Sequence, residues 1–113
     1  GAGPHGGRCG AKRAMNAGLS VGVAAGREQF EVVVLGATPP VCSARFPSNA
    51  IGWAAVRGFL ASQRLPVRMA VAGVAALGFA LAVGNANDRR VMIVSPTEAK
   101  TALKLAEHAK NNL

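Results

Sequence analysis

Along Asn16–Leu35, NAGLSVGVAAGREQFEVVVL, hydrophobic positions recur with the two-residue period of a β-strand. Leu19, Val21 and Val23 alternate with Gly18, Ser20 and Gly22, which predicts a strand over Ala17–Ala24. A second strand, Gln29–Leu35, follows the turn Ala25-Gly26-Arg27-Glu28. It ends in Val32-Val33-Val34-Leu35, a run suited to burial on both faces. Small residues line one side of the first strand, so another element can pack very close to it. That strand is read as the centre of a sheet, and Ser20 as the position on which function turns.

The same patterning continues downstream. Gly36-Ala37-Thr38-Pro39-Pro40 signals a turn, and Val41–Phe46 alternates as an edge strand exposed on one side. Ser48 or Asn49 can cap a helix over Ala50–Gln63. Trp53, Val56, Phe59 and Leu60 share one face of that helix, and Arg57 and Arg64 share another. At this spacing Trp53 is a core anchor rather than a base-stacking ring. Leu65-Pro66 ends the helix and Val67–Ala72 forms a fourth strand. Gly73 leads into a helix over Val74–Val83 that is apolar on nearly every side and stops at Gly84. Such a helix must be covered, either by the other two helices or by a partner. After the loop Asn85–Arg90, with Arg89-Arg90 at its end, comes a fifth strand, Val91–Val94. Ser95-Pro96-Thr97-Glu98 reads as a capping box opening a last helix, Thr97–Lys110. On it Ala102, Leu105, Ala106 and Ala109 face inward, and Lys100, Lys104 and His108 form an outward stripe.

The element order is therefore β-β-β-α-β-α-β-α, an antiparallel meander followed by crossover units. Right-handed crossovers put helices on both faces of a mixed five-stranded sheet. This is an α/β chain with the element order of the ribonuclease-H-like fold, in which the first strand is central.

Composition narrows the partners. The 113 residues suffice for one domain. Half are hydrophobic, with no Tyr and one Trp, so the core is built from Val, Ala and Leu. Thirteen Lys and Arg against five acids give a net charge of +8, a surplus that favours polyanions such as nucleic acid. Residues 1–14 hold five glycines, three basic residues and no acid, and are expected to form a mobile basic arm ahead of a domain over 15–113. They contain no apolar run of the signal-peptide kind. The apolar run Met69–Gly84 is shorter than the roughly 20 residues of a spanning helix, so no membrane association is expected. Cys9 and Cys42 make neither a disulfide framework nor a metal-ligand spacing, which points to a reduced, cytoplasmic setting.

The run MNAGLSVGVAAGREQFEVVVL resembles the opening of bacterial DEDD transposases of the insertion-sequence group that includes the pilin-gene invertase. Those proteins begin with a Gly-Ile-Asp-Val-type strand, a short turn and a second apolar strand. The likeness continues through Arg45-Phe46-Pro47, and through Val67–Gly73, where the family has a strand ending in Glu-Ala-Thr-Gly. It returns at Val94-Ser95-Pro96, similar to Val-Asn-Pro, and at Ala109-Lys110-Asn111-Asn112, similar to Ala-Lys-Thr-Asp. The match covers nearly all of Met15–Leu113 but holds no highly specific motif.

The departures bear on function. The resemblance implies a two-metal phosphoryl-transfer site built from carboxylates, because hard divalent cations take oxygen ligands. Here the matching positions are Ser20, Ala70 and Asn112, and the family's last acid would lie beyond Leu113. Glu28, Glu31, Asp88, Glu98 and Glu107 are spread over a turn, a strand start, a loop, a helix cap and a helix face. Neither a Ser-His-acid nor a Cys-His set replaces the missing acids, the histidines being His5 and His108. The expectation is a transposase-related pseudoenzyme, with no cofactor or metal. It would bind nucleic acid, DNA rather than RNA, through Arg89, Arg90, Lys100 and Lys104. The alternative is a module of the same fold that holds a protein partner or a second copy through its edge strand or its apolar helix.

Overall fold

A computed structural model of the chain describes residues 18–36, 41–84, 89–95 and 101–113. The period-two stretches form strands β1 (Leu19–Ala25), β2 (Gln29–Leu35), β3 (Val41–Pro47), β4 (Val67–Ala72) and β5 (Arg89–Ile93). The helices are α1 (Ala50–Gln63), α2 (Ala76–Val83) and α3 (Ala102–Asn112). The strands make one sheet in the order β3-β2-β1-β4-β5, so β1 is central as expected. β1 pairs antiparallel with β2 and β2 with β3, while β4 lies parallel to β1 and β5 parallel to β4.

Alternation along the strands feeds two cores. Leu19, Val21, Val23 and Ala25 of β1 point to one face, where they meet Val56 and Leu60 of α1 and Ala76, Phe79 and Val83 of α2. Trp53 and Phe59 pack on the margin of this core, as the apolar stripe of α1 predicted. Phe30 sits at its centre, stacked on Phe46 with centroids 5.5 Å apart and edge-on to Phe79 at 4.9 Å. Ser20, Gly22 and Ala24 point to the opposite face, which α3 covers with Ala102, Leu105, Ala106 and Ala109, all buried. The small residues of β1 serve that contact. A Cβ on Gly22 would collide with the Ala102 carbonyl oxygen and the Ala106 amide nitrogen, so the helix backbone lies directly on the strand.

Several boundaries differ from the sequence expectation. The first strand is shifted to Leu19–Ala25, and β5 starts at Arg89, so Arg89 and Arg90 belong to the strand and not to the loop before it. α1 is capped by Asn49, whose Oδ1 accepts from the amides of Ile51 and Gly52. Arg64 ends α1 in the left-handed conformation (φ 55°) and so leaves the helix face it was expected to share with Arg57. α2 begins at Ala76, not Val74. Gly73 (φ 118°) first turns the chain back against β1, letting the Ala75 amide donate to the Ala25 carbonyl oxygen at 3.1 Å. α3 begins at Ala102 and is capped by Thr101, whose Oγ1 accepts from the Lys104 amide at 3.2 Å. The helix start expected at Thr97, with its capping box, falls on residues 96–100, outside the described residues. Glu98 and Lys100 lie outside the described residues, as do the arm 1–14, Ala17, the turn residues 37–40 and the loop 85–88. No helix among the described residues is long and apolar enough to cross a membrane.

Candidate nucleic-acid interface

Parallel pairing of β4 with β5 sets Arg68 directly opposite Arg90. Both alternate with residues under α3, Arg68 with Ala70 and Arg90 with Met92, so both project on the α3 side of the sheet. Arg68 is half-buried, and its Nη1 lies 3.4 Å from the backbone oxygen of Leu113 at the end of α3. The partial negative charge of a helix C-terminus favours a cation there. Arg90 is exposed on the edge strand, and among the described residues it makes no hydrogen bond or ion pair. Its charge is therefore open to an incoming anion, with Arg68 adding to the potential from the next strand.

The expected basic group is divided by the fold. Arg89 precedes Arg90 by one residue and so points to the other face, where Nη1 donates to the Val83 carbonyl oxygen at the end of α2. Lys104 is exposed on the first turn of α3, and Lys110 is exposed in its last turn. Lys100 lies outside the described residues, so of the expected stripe Lys100–Lys104–His108 only the last two can be placed. Lys104 and a half-buried His108 are the members that the helix carries. Arg90 and Lys104 thus share a side of the molecule, and Arg89 does not. Arg68 was missed. The signal that could have found it is a cation inside the otherwise apolar strand Val67–Ala72.

Of the three positions that the resemblance singles out, Ser20 and Ala70 are sealed and Asn112 is not. Ser20 and Ala70 sit on the same sheet face two residues out of step, Ser20 pairing with Arg68 and Ala70 with Gly22. Both are buried, at 3% and 0% exposure, on the face that α3 covers. Asn112 is exposed, and its Nδ2 donates to the His108 carbonyl oxygen within its own helix. Among the described residues no three His, Cys, Asp or Glu side chains come together as a metal site. A cavity of about 560 Å³ opens at the other end of β1 and β4, beside Gly26, Gln29, Glu31, Arg45 and Gly73. Its one carboxylate, Glu31, accepts a hydrogen bond from Ser43 Oγ at 2.6 Å.

No known family model matches the chain, and no curated protein matches it either. The resemblance to DEDD transposases accordingly stands on the residues quoted for it.

Proposed function

We propose that this chain is a non-catalytic, ribonuclease-H-like module that binds nucleic acid, DNA rather than RNA, through the α3 side of its sheet. The observation that carries the reading is the paired row Arg68–Arg90, on the same side as exposed Lys104 and Lys110, where α3 offers one acid, Glu107. Phosphates are the natural ligand for such a surface, with little reading of base edges. The strand order with β1 central supports the ribonuclease-H-like assignment. Ser20, Ala70 and Asn112 support a pseudoenzyme related to mobile-element transposases, and a cytoplasmic setting goes with that reading.

Electrophoretic mobility shifts at several salt concentrations test the interface. The double change Arg90→Ala, Lys104→Ala is expected to weaken binding to every sequence alike. It should also flatten the salt dependence by about one unit of slope per lost phosphate contact. Arg57→Ala with Arg64→Ala should do much less, because both residues lie on or at the end of α1, away from α3. Equal losses from the two pairs would replace the site with diffuse attraction by the +8 charge.

The metal-free reading has its own check. Magnesium or manganese should leave the melting temperature unchanged to within about a degree, since a ligand stabilises only in proportion to its occupancy of the native state. A clear metal-dependent rise, or metal-dependent DNA cleavage, would overturn it.

A further inference from the structure

Arg68 and Arg90 occupy paired positions on neighbouring strands and project on the same side of the sheet. Neighbouring strands run about 4.8 Å apart, and like charges at paired positions work against the pairing. Among the described residues no carboxylate relieves that repulsion, since neither guanidinium makes an ion pair. Glu31 pairs with Ala24 at one end of β1, and Arg68 pairs with Ser20 at the other. Glu28 lies in the turn beyond Ala25, farther still from Arg68. Glu107 precedes Leu113, the residue Arg68 touches, by about 9 Å along α3.

The end of α3 accounts for one cation here but not for two. Arg68 Nη1 lies 3.4 Å from the Leu113 backbone oxygen. Its Nη2 lies beside buried Gly18, where an added Cβ would stand 3.4 Å away. The fork of Arg68 is thus lodged between the start of β1 and the end of α3, and is held in place before any ligand arrives. Arg90, exposed on the edge strand, is free to close on whatever meets that fork.

We infer that Arg68 and Arg90 form a site for one doubly charged phosphate group, a phosphate monoester or free phosphate. A guanidinium presents parallel N–H donors that match phosphate oxygens, and two of them supply two charges. A monoester carries about −1.5 to −2 at pH 7, whereas each backbone phosphate of a nucleic acid carries a single charge. The dianion alone cancels the charge of the pair and so removes the repulsion between β4 and β5. The site shares its residues with the proposed interface but does not need nucleic acid, and the two are separated below.

Thermal melts of the full chain in inorganic phosphate test the site, with chloride at equal ionic strength as the reference. About 10 mM phosphate should raise the wild-type melting temperature by about 5 °C, as a native-state ligand at ten times its Kd would. Arg90→Gln should melt at or above the wild-type temperature in chloride, because the repulsion is gone, and should lose most of the phosphate shift. Arg68→Gln should lose it too, but Arg68 also holds the end of α3, so the exposed position 90 carries the test. Arg57→Gln, on the other face, should keep the shift. A wild-type chain with no phosphate shift overturns the inference. So does an Arg90→Gln protein that keeps the full shift, which would mean diffuse attraction by the +8 charge. A 5′-phosphorylated oligonucleotide should bind about tenfold more tightly than its 5′-hydroxyl form, the scale of one charge-assisted hydrogen bond. Equal binding of the two forms overturns the preference for a dianion. A phosphate shift with no binding of either oligonucleotide would sink the nucleic-acid reading and leave the site standing, filled by free phosphate or a small phosphate ester.

Discussion

Gly22→Ala is expected to cost about 3–4 kcal/mol, at the upper end of what overpacking does to a protein. The added methyl would strike the backbone of α3 at Ala102 and Ala106 and lie 2.8 Å from the Leu105 carbonyl carbon. A flexible side chain could turn aside from such a clash, but a helix backbone cannot. α3 would have to lift off the sheet, withdrawing Leu105, Ala106 and Ala109 from contacts in which each is fully buried. Since a domain of this size has about 5–15 kcal/mol of stability in all, the change should remove much of it. Chemical denaturation read by circular dichroism would measure the loss. Gly58→Ala is the matched control, a glycine in open space within a helix. It should be neutral or stabilise by up to about 1 kcal/mol. A Gly22→Ala protein as stable as wild type would mean that α3 does not pack on β1 as described.

Phe79→Ala is expected to be comparably severe, at about 3–5 kcal/mol. Phe79 is 1% exposed and meets Phe30, the ring at the centre of the larger core, edge-on. Its loss should be felt first in α2, for a reason visible in that helix. α2 has eight residues, no side-chain cap at Ala75 and no acid in its first turn, so little local interaction sustains it. It is held by three buried residues, Ala76, Phe79 and Val83, of which Phe79 is the largest. Hydrogen exchange should therefore show the amides of α2 losing protection in Phe79→Ala before those of β1 and β4. Uniform loss of protection would instead mean that α2 and the sheet open as one unit.

The limits of reading this chain locally show most clearly at α3. Its cap, Thr101, was not singled out by local reading, and a cap is worth only about 1 kcal/mol. α3 carries Ala102, Leu105, Ala106 and Ala109 onto Gly22, a buried contact worth more than a cap. The placement of the cations has a similar cause. Arg68 and Arg90 are far apart along the chain, and they become neighbours only through the parallel register of β4 with β5, which the crossover through α2 imposes.

What the chain's own pattern determined was the type and order of its elements. The central place of β1 was legible from its small side, and burial of β2 on both faces from Val32-Val33-Val34, each at most 2% exposed. The inward face of α3 and the core role of Trp53 and its stripe were legible too. Period and side-chain size suffice for these, because a residue's face is set by its own backbone geometry. Only the tertiary structure decided that the expected basic group is divided between two faces, that Ser20 and Ala70 lie sealed under α3, and that α2 keeps exposed apolar side chains. Those outcomes depend on which layer each element joins and on strand register. Both are fixed by contacts between segments distant in sequence, where no local period reaches.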